Sequence, residues 1–181
     1  MTKRTSFLLF FFSLSFGGEV STSISEEIVN EYFTIVGSHQ IFAGKKESQS
    51  LWSIKNPRVK FRAGKAEFLA TVLFEKDRIN IKKDIKKEIE VIYNDKKNEL
   101  QLLIKNAVVK MERRGKVLGK VDLGLIYQTG LVFSGPKPAI ESFKMKTRLG
   151  KIRFDILNSE QNIFYEEGSI RFTMNLDYEI L

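Results

Sequence analysis

Ile170-Arg171-Phe172-Thr173-Met174-Asn175-Leu176-Asp177-Tyr178-Glu179-Ile180 is the stretch that decides the fold. Every second residue is apolar, and nearly every residue between is charged or amide-bearing. Successive side chains of an extended chain point to opposite faces, so this spacing gathers all the grease on one side. It predicts an antiparallel strand with one dry face and one wet one. At about 3.3 Å per residue such a strand runs roughly 35 Å, longer than most.

The same grammar extends upstream. Val117, Gly119, Val121, Leu123, Leu125 and Tyr127 alternate and read as another strand. Ile89, Val91 and Tyr93 lead into a polar turn, Asn94-Asp95-Lys96-Lys97-Asn98, after which Leu100, Leu102 and Ile104 resume the alternation. Strand, polar turn and strand spell a hairpin. Phe68, Ala70, Val72 and Phe74 interleave with Leu69, Thr71 and Leu73, which predicts a strand apolar on both faces. Between Ile79 and Ile92 the apolar residues fit a helix as well as a strand; Glu88–Tyr93 reads as strand and Asp84–Lys87 stays open. Ser134-Gly135-Pro136-Lys137-Pro138 cannot lie inside a central strand, so it is a loop dividing an earlier set of strands from a later one.

One helix precedes these strands. Ser23-Ile24-Ser25-Glu26 reads as a capping box, in which a hydroxyl accepts from an early helix N–H and the glutamate reaches back. Ile28, Val29, Tyr32, Phe33 and Val36 follow at helical spacing, and Gly37 is placed to stop the helix. The expected fold is therefore α+β and mainly β: a long, strongly curved antiparallel sheet wrapped around an N-terminal amphipathic helix. A closed barrel with the helix outside or as a plug is the alternative.

The chain begins with Lys3 and Arg4, then Phe7-Leu8-Leu9-Phe10-Phe11-Phe12 with Leu14 and Phe16, then Gly17-Gly18. A basic head, a short apolar core and small residues at the end are the layout of a secretory signal peptide. The run is shorter than the roughly 20 apolar residues that span a bilayer. Residues 1–17 are read as a signal peptide, with residues 18–181 as a single helix-plus-curved-sheet domain. The absence of cysteine from the 181 residues favours a bacterial periplasmic or secreted protein over a disulfide-bearing eukaryotic one. It also rules out thiol catalysis and cysteine-ligated zinc.

The formal net charge is +8. A basic exported protein meets phospholipid headgroups and acidic glycans rather than nucleic acid, so an anionic membrane surface is an expected partner and nucleic acid is not. Catalytic patterns are missing: His39 is the only histidine, and there is no Gly-x-Ser-x-Gly elbow. Gly115-Lys116-Val117-Leu118-Gly119-Lys120 lacks the spacing of a phosphate loop. The acids Glu26/Glu27, Glu166/Glu167 and Asp177/Glu179 read as cap, turn and wet face. The chain is expected to be non-enzymatic and to need no cofactor or metal.

What remains is grease and base. A curved sheet and one helix leave room for an apolar groove, which would take a lipid or another hydrophobic small molecule. Its expected lining is Ile28, Tyr32, Phe33 and Val36 from the helix, with Phe68, Val72, Phe74, Leu123, Leu125, Phe172, Met174 and Leu176 from strands. Lys144, Lys146 and Arg148 share one face, opposite Phe143, Met145 and Leu149, and are expected as a basic rim for an anionic headgroup. Further lysines and arginines gather at Lys82, Lys83, Lys86 and Lys87 and at Arg113, Arg114 and Lys116. The competing expectation is an envelope structural or protein-interaction module whose core is filled and whose partners dock on a strand edge.

The helix run Ser-Ile-Ser-Glu-Glu-Ile-Val-Asn-Glu-Tyr-Phe in Ser23–Val36, followed by Ala66–Phe74 and Leu100–Val109, resembles bacterial periplasmic TULIP-like, YceB-related proteins. In that family a similar opening helix leads into a long, curved antiparallel sheet. The likeness covers about half the chain, and the lipobox cysteine and a long second helix have no counterpart. It implies binding of lipids or other hydrophobic molecules, with no catalytic residues to carry over.

Overall fold

The computed structural model describes residues 18–44, 49–127, 131–138, 140–148 and 150–180. The expected signal segment lies outside them. The elements run β1 (Gly18–Ser25), α1 (Glu26–Val36), β2 (His39–Ala43), β3 (Ser50–Arg62), β4 (Lys65–Lys76), β5 (Ile79–Asn94), β6 (Glu99–Ile104), β7 (Val108–Arg113) and β8 (Lys116–Asp122). They continue with α2 (Leu123–Tyr127), β9 (Val132–Ser134), β10 (Ser142–Thr147), β11 (Gly150–Glu166) and β12 (Ser169–Ile180). The architecture is mainly β, with strongly curled antiparallel sheets.

The strands do not form the one sheet that their alternation suggested. They make a six-stranded sheet of order β2-β3-β4-β5-β6-β9, a four-stranded sheet of order β1-β12-β11-β10, and a separate β7–β8 ribbon. Strand alternation specifies a face, not a neighbour, so it could not count sheets. The Gly135–Pro138 loop does fall between β9 of one sheet and β10 of the other. Only β1 crosses that division, pairing with β12 along its whole length from Gly18↔Leu176 to Ser25↔Ser169.

Three local expectations are corrected. First, the helix starts two residues later than the capping box implied. Ser23 lies within β1, and it is the Ser25 hydroxyl that accepts from the Ile28 N–H at 3.2 Å. Glu26 does not reach back to the cap; its carboxylate accepts from the Phe61 N–H at 2.7 Å and from Lys60 Nζ at 3.2 Å. Second, the alternation from Val117 ends at Asp122. The Asp122 carboxylate accepts from the Gly124 N–H at 2.9 Å and α2 begins. Leu123 and Tyr127 are four apart, a spacing that a strand and a helix both place on one side, and the aspartate decides between them. Third, Ile79–Asn94 is one continuous strand, including the undecided Asp84–Lys87.

The core forms where the two large sheets and α1 meet. Phe33 from α1 stands edge-on to Phe68 at 5.5 Å and to Tyr127 at 5.3 Å. Trp52 packs on Phe74 at 4.8 Å. The β7–β8 ribbon closes over that pair so tightly that a Cβ on Gly119 would meet the Trp52 ring at 2.8 Å. Tyr93 of the six-stranded sheet stacks near Phe172 of the four-stranded one at 4.5 Å, and the Val91 N–H donates to the Tyr165 hydroxyl at 3.3 Å. Packing of this kind fills space to near crystal density.

The helix also closes a sheet margin. β2 pairs with β3 only as far as Ile54, beyond which no strand among the described residues pairs with the outer edge of β3. There the Asn30 side chain accepts from the Val59 N–H at 2.7 Å and donates to the Val59 carbonyl at 3.2 Å. Glu26, one turn earlier, takes the Phe61 N–H. Two helix side chains thus make the bonds that a neighbouring strand would have made.

Candidate functional site

The residues expected to line a groove come together, but as packed interior. Phe33, Phe68, Val72, Phe74, Leu123, Phe172, Met174 and Leu176 are all buried in one core cluster, with Tyr32 and Val36 packed against it. Ile28 and Leu125 lie outside that cluster: they are 55% and 76% exposed. The buried side of α1 runs through Val29 and Phe33, flanked by Glu26 and Asn30. Those two polar residues turn toward β3 because its free edge needs hydrogen-bonding groups, and that rotates Ile28 out. Leu125 points away because α2 is helical and buries Leu123 and Tyr127.

A small cleft does open beside this core. It measures about 200 Å³ and is lined by Leu102, Leu103, Ile104, Gly124, Tyr127 and Leu131. None of the twelve expected groove residues lines it. The buried Tyr127 hydroxyl has no hydrogen-bond partner among the described residues. Burial, with Tyr32 nearby, pushes that phenol well above its ordinary pKa, so it stays protonated. The His39 ring stands edge-on to Tyr127 at 5.3 Å, and its buried Nε2 likewise lacks a partner among the described residues.

The other distinctive region is an arm. β12 pairs with β11 from Phe154 onward, whereas β10 pairs with the earlier part of β11, Gly150–Asp155. The β10–β11 hairpin therefore reaches past the core. Antiparallel partners share a face, so the register puts Phe143 with Phe154 and Met145 with Ile152 on one side. Ile156 and Tyr178 continue that side toward the core, ahead of Leu176, Met174 and Phe172. The dry face of the sheet thus runs out of the core without a cover. Phe143 and Met145 are 43% and 46% exposed, and Phe143 stacks on Phe154 at 5.0 Å with rings nearly parallel.

The arm's opposite side is basic. Lys144 lies across from Arg153 and Lys146 across from Lys151, with Arg148 in the connecting turn. Like charges directly opposite destabilise a strand pair. Arg153 is relieved by Asp155 at 2.7 Å, but Lys144, Lys146, Lys151 and Arg148 have no ion-pair partner among the described residues. The expected basic cluster is accordingly on the arm, and none of its members lines the cleft near Tyr127. The β11 half of this surface, Lys151, Ile152, Arg153 and Phe154, was not singled out from the sequence. Its signal was present: charged and apolar residues alternate from Lys151 to Ile156.

Comparison with known proteins identifies no relative: no family model, no curated protein and no solved structure matches the chain. Among the described residues, no group of three or more histidine, aspartate or glutamate side chains is placed to hold a metal ion, and no helix is long and apolar enough to cross a membrane.

Proposed function

We propose that this chain is a non-enzymatic docking module of the bacterial envelope, with a solid core that holds an amphipathic β-arm out to a partner. One observation carries the reading. The dry face of the four-stranded sheet continues beyond the interior as the Phe143–Phe154 and Met145–Ile152 pairs, in which Phe143 and Met145 are exposed and Phe154 and Ile152 half-buried. A monomer gains nothing from leaving such a face wet, and contiguous exposed apolar surface marks interaction sites. Placement in the envelope rests on the signal-like residues 1–17. The test is site-directed photocrosslinking in cells, with a photoreactive residue at Phe143 or at Ile35, an exposed apolar position on α1. Adducts specific to position 143 support docking by the arm. Equal labelling at both positions, or none at either, removes it.

A second reading has its own observation. The apolar cleft with the unpartnered Tyr127 hydroxyl suits the body and polar end of a lipid or other hydrophobic molecule. At about 200 Å³ it is smaller than the roughly 300–1,000 Å³ of most ligand pockets. The resemblance to TULIP-like proteins supports this reading. Native mass spectrometry of protein purified without detergent, followed by solvent extraction, separates the two: a mass increment that extracts as lipid, and is lost on Leu102→Trp, favours the cleft.

A further inference from the structure

We infer that the occupant of the β10–β11 arm is an anionic phospholipid bilayer, on which the hairpin lies flat with its apolar side down. The inference rests on the docking reading above and names its partner. The argument is charge complementarity combined with shape. One side of the hairpin carries Phe143, Met145, Ile152 and Phe154; the other carries Lys144, Lys146 and Lys151, with Arg148 at the turn. Two of the cross-strand pairs set like charges opposite each other, Lys144 with Arg153 and Lys146 with Lys151. Four of these five cations have no ion-pair partner among the described residues. That arrangement opposes hairpin formation in isolation. It becomes favourable where an external sheet of negative charge lies alongside.

A second copy of the chain fits less well, because it would cover the apolar side and leave the cations on the opposite side uncompensated. A bilayer offers both things the arm lacks, hydrocarbon below and phosphates at the level of the lysine heads. This is the arrangement by which basic amphipathic helices lie in a membrane interface, apolar face buried by about 5–10 Å and long cationic stems reaching up to the headgroups. A hairpin of six-residue β10 length covers roughly 20 Å of that interface. The stacked Phe143 and Phe154 rings arrive already ordered.

The experiment is vesicle flotation with the protein recovered after expression of the full chain. Vesicles are phosphatidylglycerol mixed with phosphatidylcholine, or phosphatidylcholine alone, at low and at high salt. The inference expects binding to the anionic vesicles that is released by salt and is absent from neutral ones. Lys144→Gln/Lys146→Gln/Lys151→Gln should weaken partitioning about a hundredfold, from roughly fivefold per lysine. Phe143→Ser/Met145→Ser should lose binding with the charge intact, and Phe143→Trp should shift its emission to the blue on anionic vesicles. Trp52, buried in the core, reports in the glutamine and serine variants that the fold is kept. Failure to float with anionic vesicles overturns the inference, as does equal binding by the charge variant or by neutral vesicles. If instead the protein is a lipid-independent dimer that Phe143→Ser/Met145→Ser dissolves, or gives arm-specific protein adducts only, the docking reading stands and the membrane falls. If position 143 contacts nothing, both fall.

Discussion

Phe172 and Phe143 lie on the same face of the same sheet, yet one is 1% exposed and the other 43%. Between them the side chain has not changed; the cover has. Phe172 is met by Tyr93 from the six-stranded sheet. Phe143 stacks on Phe154 of its own sheet and stays open to solvent. Hydrophobic stabilisation scales with area removed from water, so the two phenylalanines do different work. The inner one holds the sheets together. The outer one is stored surface. The sharpest way to break this comparison is to truncate both. Phe172→Ala should cost about 3–5 kcal/mol in urea unfolding, through lost burial and the cavity left behind. Phe143→Ala should cost less than about 1 kcal/mol. Similar losses at the two positions would mean that the arm is already covered in the free protein, and the docking reading would go with it.

Edges show the same contrast. The outer edge of β3 is closed by Asn30 and Glu26, whereas β10 ends the four-stranded sheet with no strand paired to its outer edge among the described residues. Open edges invite pairing with another chain, and charge is a common protection. Lys144 and Lys146 on β10 supply that protection as well as the basic face. Asn30→Ala removes both bonds to Val59 and leaves a partly buried backbone N–H and carbonyl without partners. It should cost about 1–3 kcal/mol, an intermediate effect, seen as a lower urea midpoint with an unchanged slope. Asn30→Asp keeps the acceptor and should recover part of the loss. If Asn30→Ala is silent, the β3 edge is as open as that of β10 and the contrast between them is blunted.

Much of this was legible in the sequence, and the illegible part has a common cause. Strands with one dry face were visible because the period of two is local, as in Ile170–Leu176, all four apolar members of which are buried. The Gly37 stop was visible too: its φ of 70° is one that glycine adopts freely, and its N–H closes on the Phe33 carbonyl at 2.9 Å. What sequence spacing cannot give is the partner across the gap. Nothing local says that Asn30 meets Val59, that Gly119 makes room for Trp52, or that β1 joins β12. The same blindness explains the site. A dry face reads alike whether a second sheet covers it, as at Phe172, or nothing does, as at Phe143. The expected groove was drawn through residues whose cover the sequence did not reveal.

Charges complete the comparison and give its smallest effect. On the six-stranded sheet Glu67 sits between Lys65 at 3.1 Å and Lys86 at 2.9 Å, so both of those lysines have an ion-pair partner, unlike most of the arm's cations. The hydrogen bond from Lys86 holds the Glu67 carboxyl below its ordinary value, against the opposing effect of burial. A carboxylate whose folded pKa is depressed adds stability that is fully present above the unfolded value of about 4.3. That stability fades as pH falls through the lower folded value. Glu67→Gln should therefore cost about 0.5–1 kcal/mol at neutral pH, since both lysines are well exposed and screened. The gap between wild type and variant should hold at neutral pH and narrow as pH falls from the unfolded value of about 4.3 through the lower folded one. Lys146→Gln on the arm removes a repulsion instead of an attraction, so it should leave stability unchanged or slightly raised at either pH. Chemical unfolding of both variants across that range checks the pair. A Glu67→Gln gap that does not narrow in acid would show that the carboxylate's charge contributes nothing, and the two basic surfaces would then be alike.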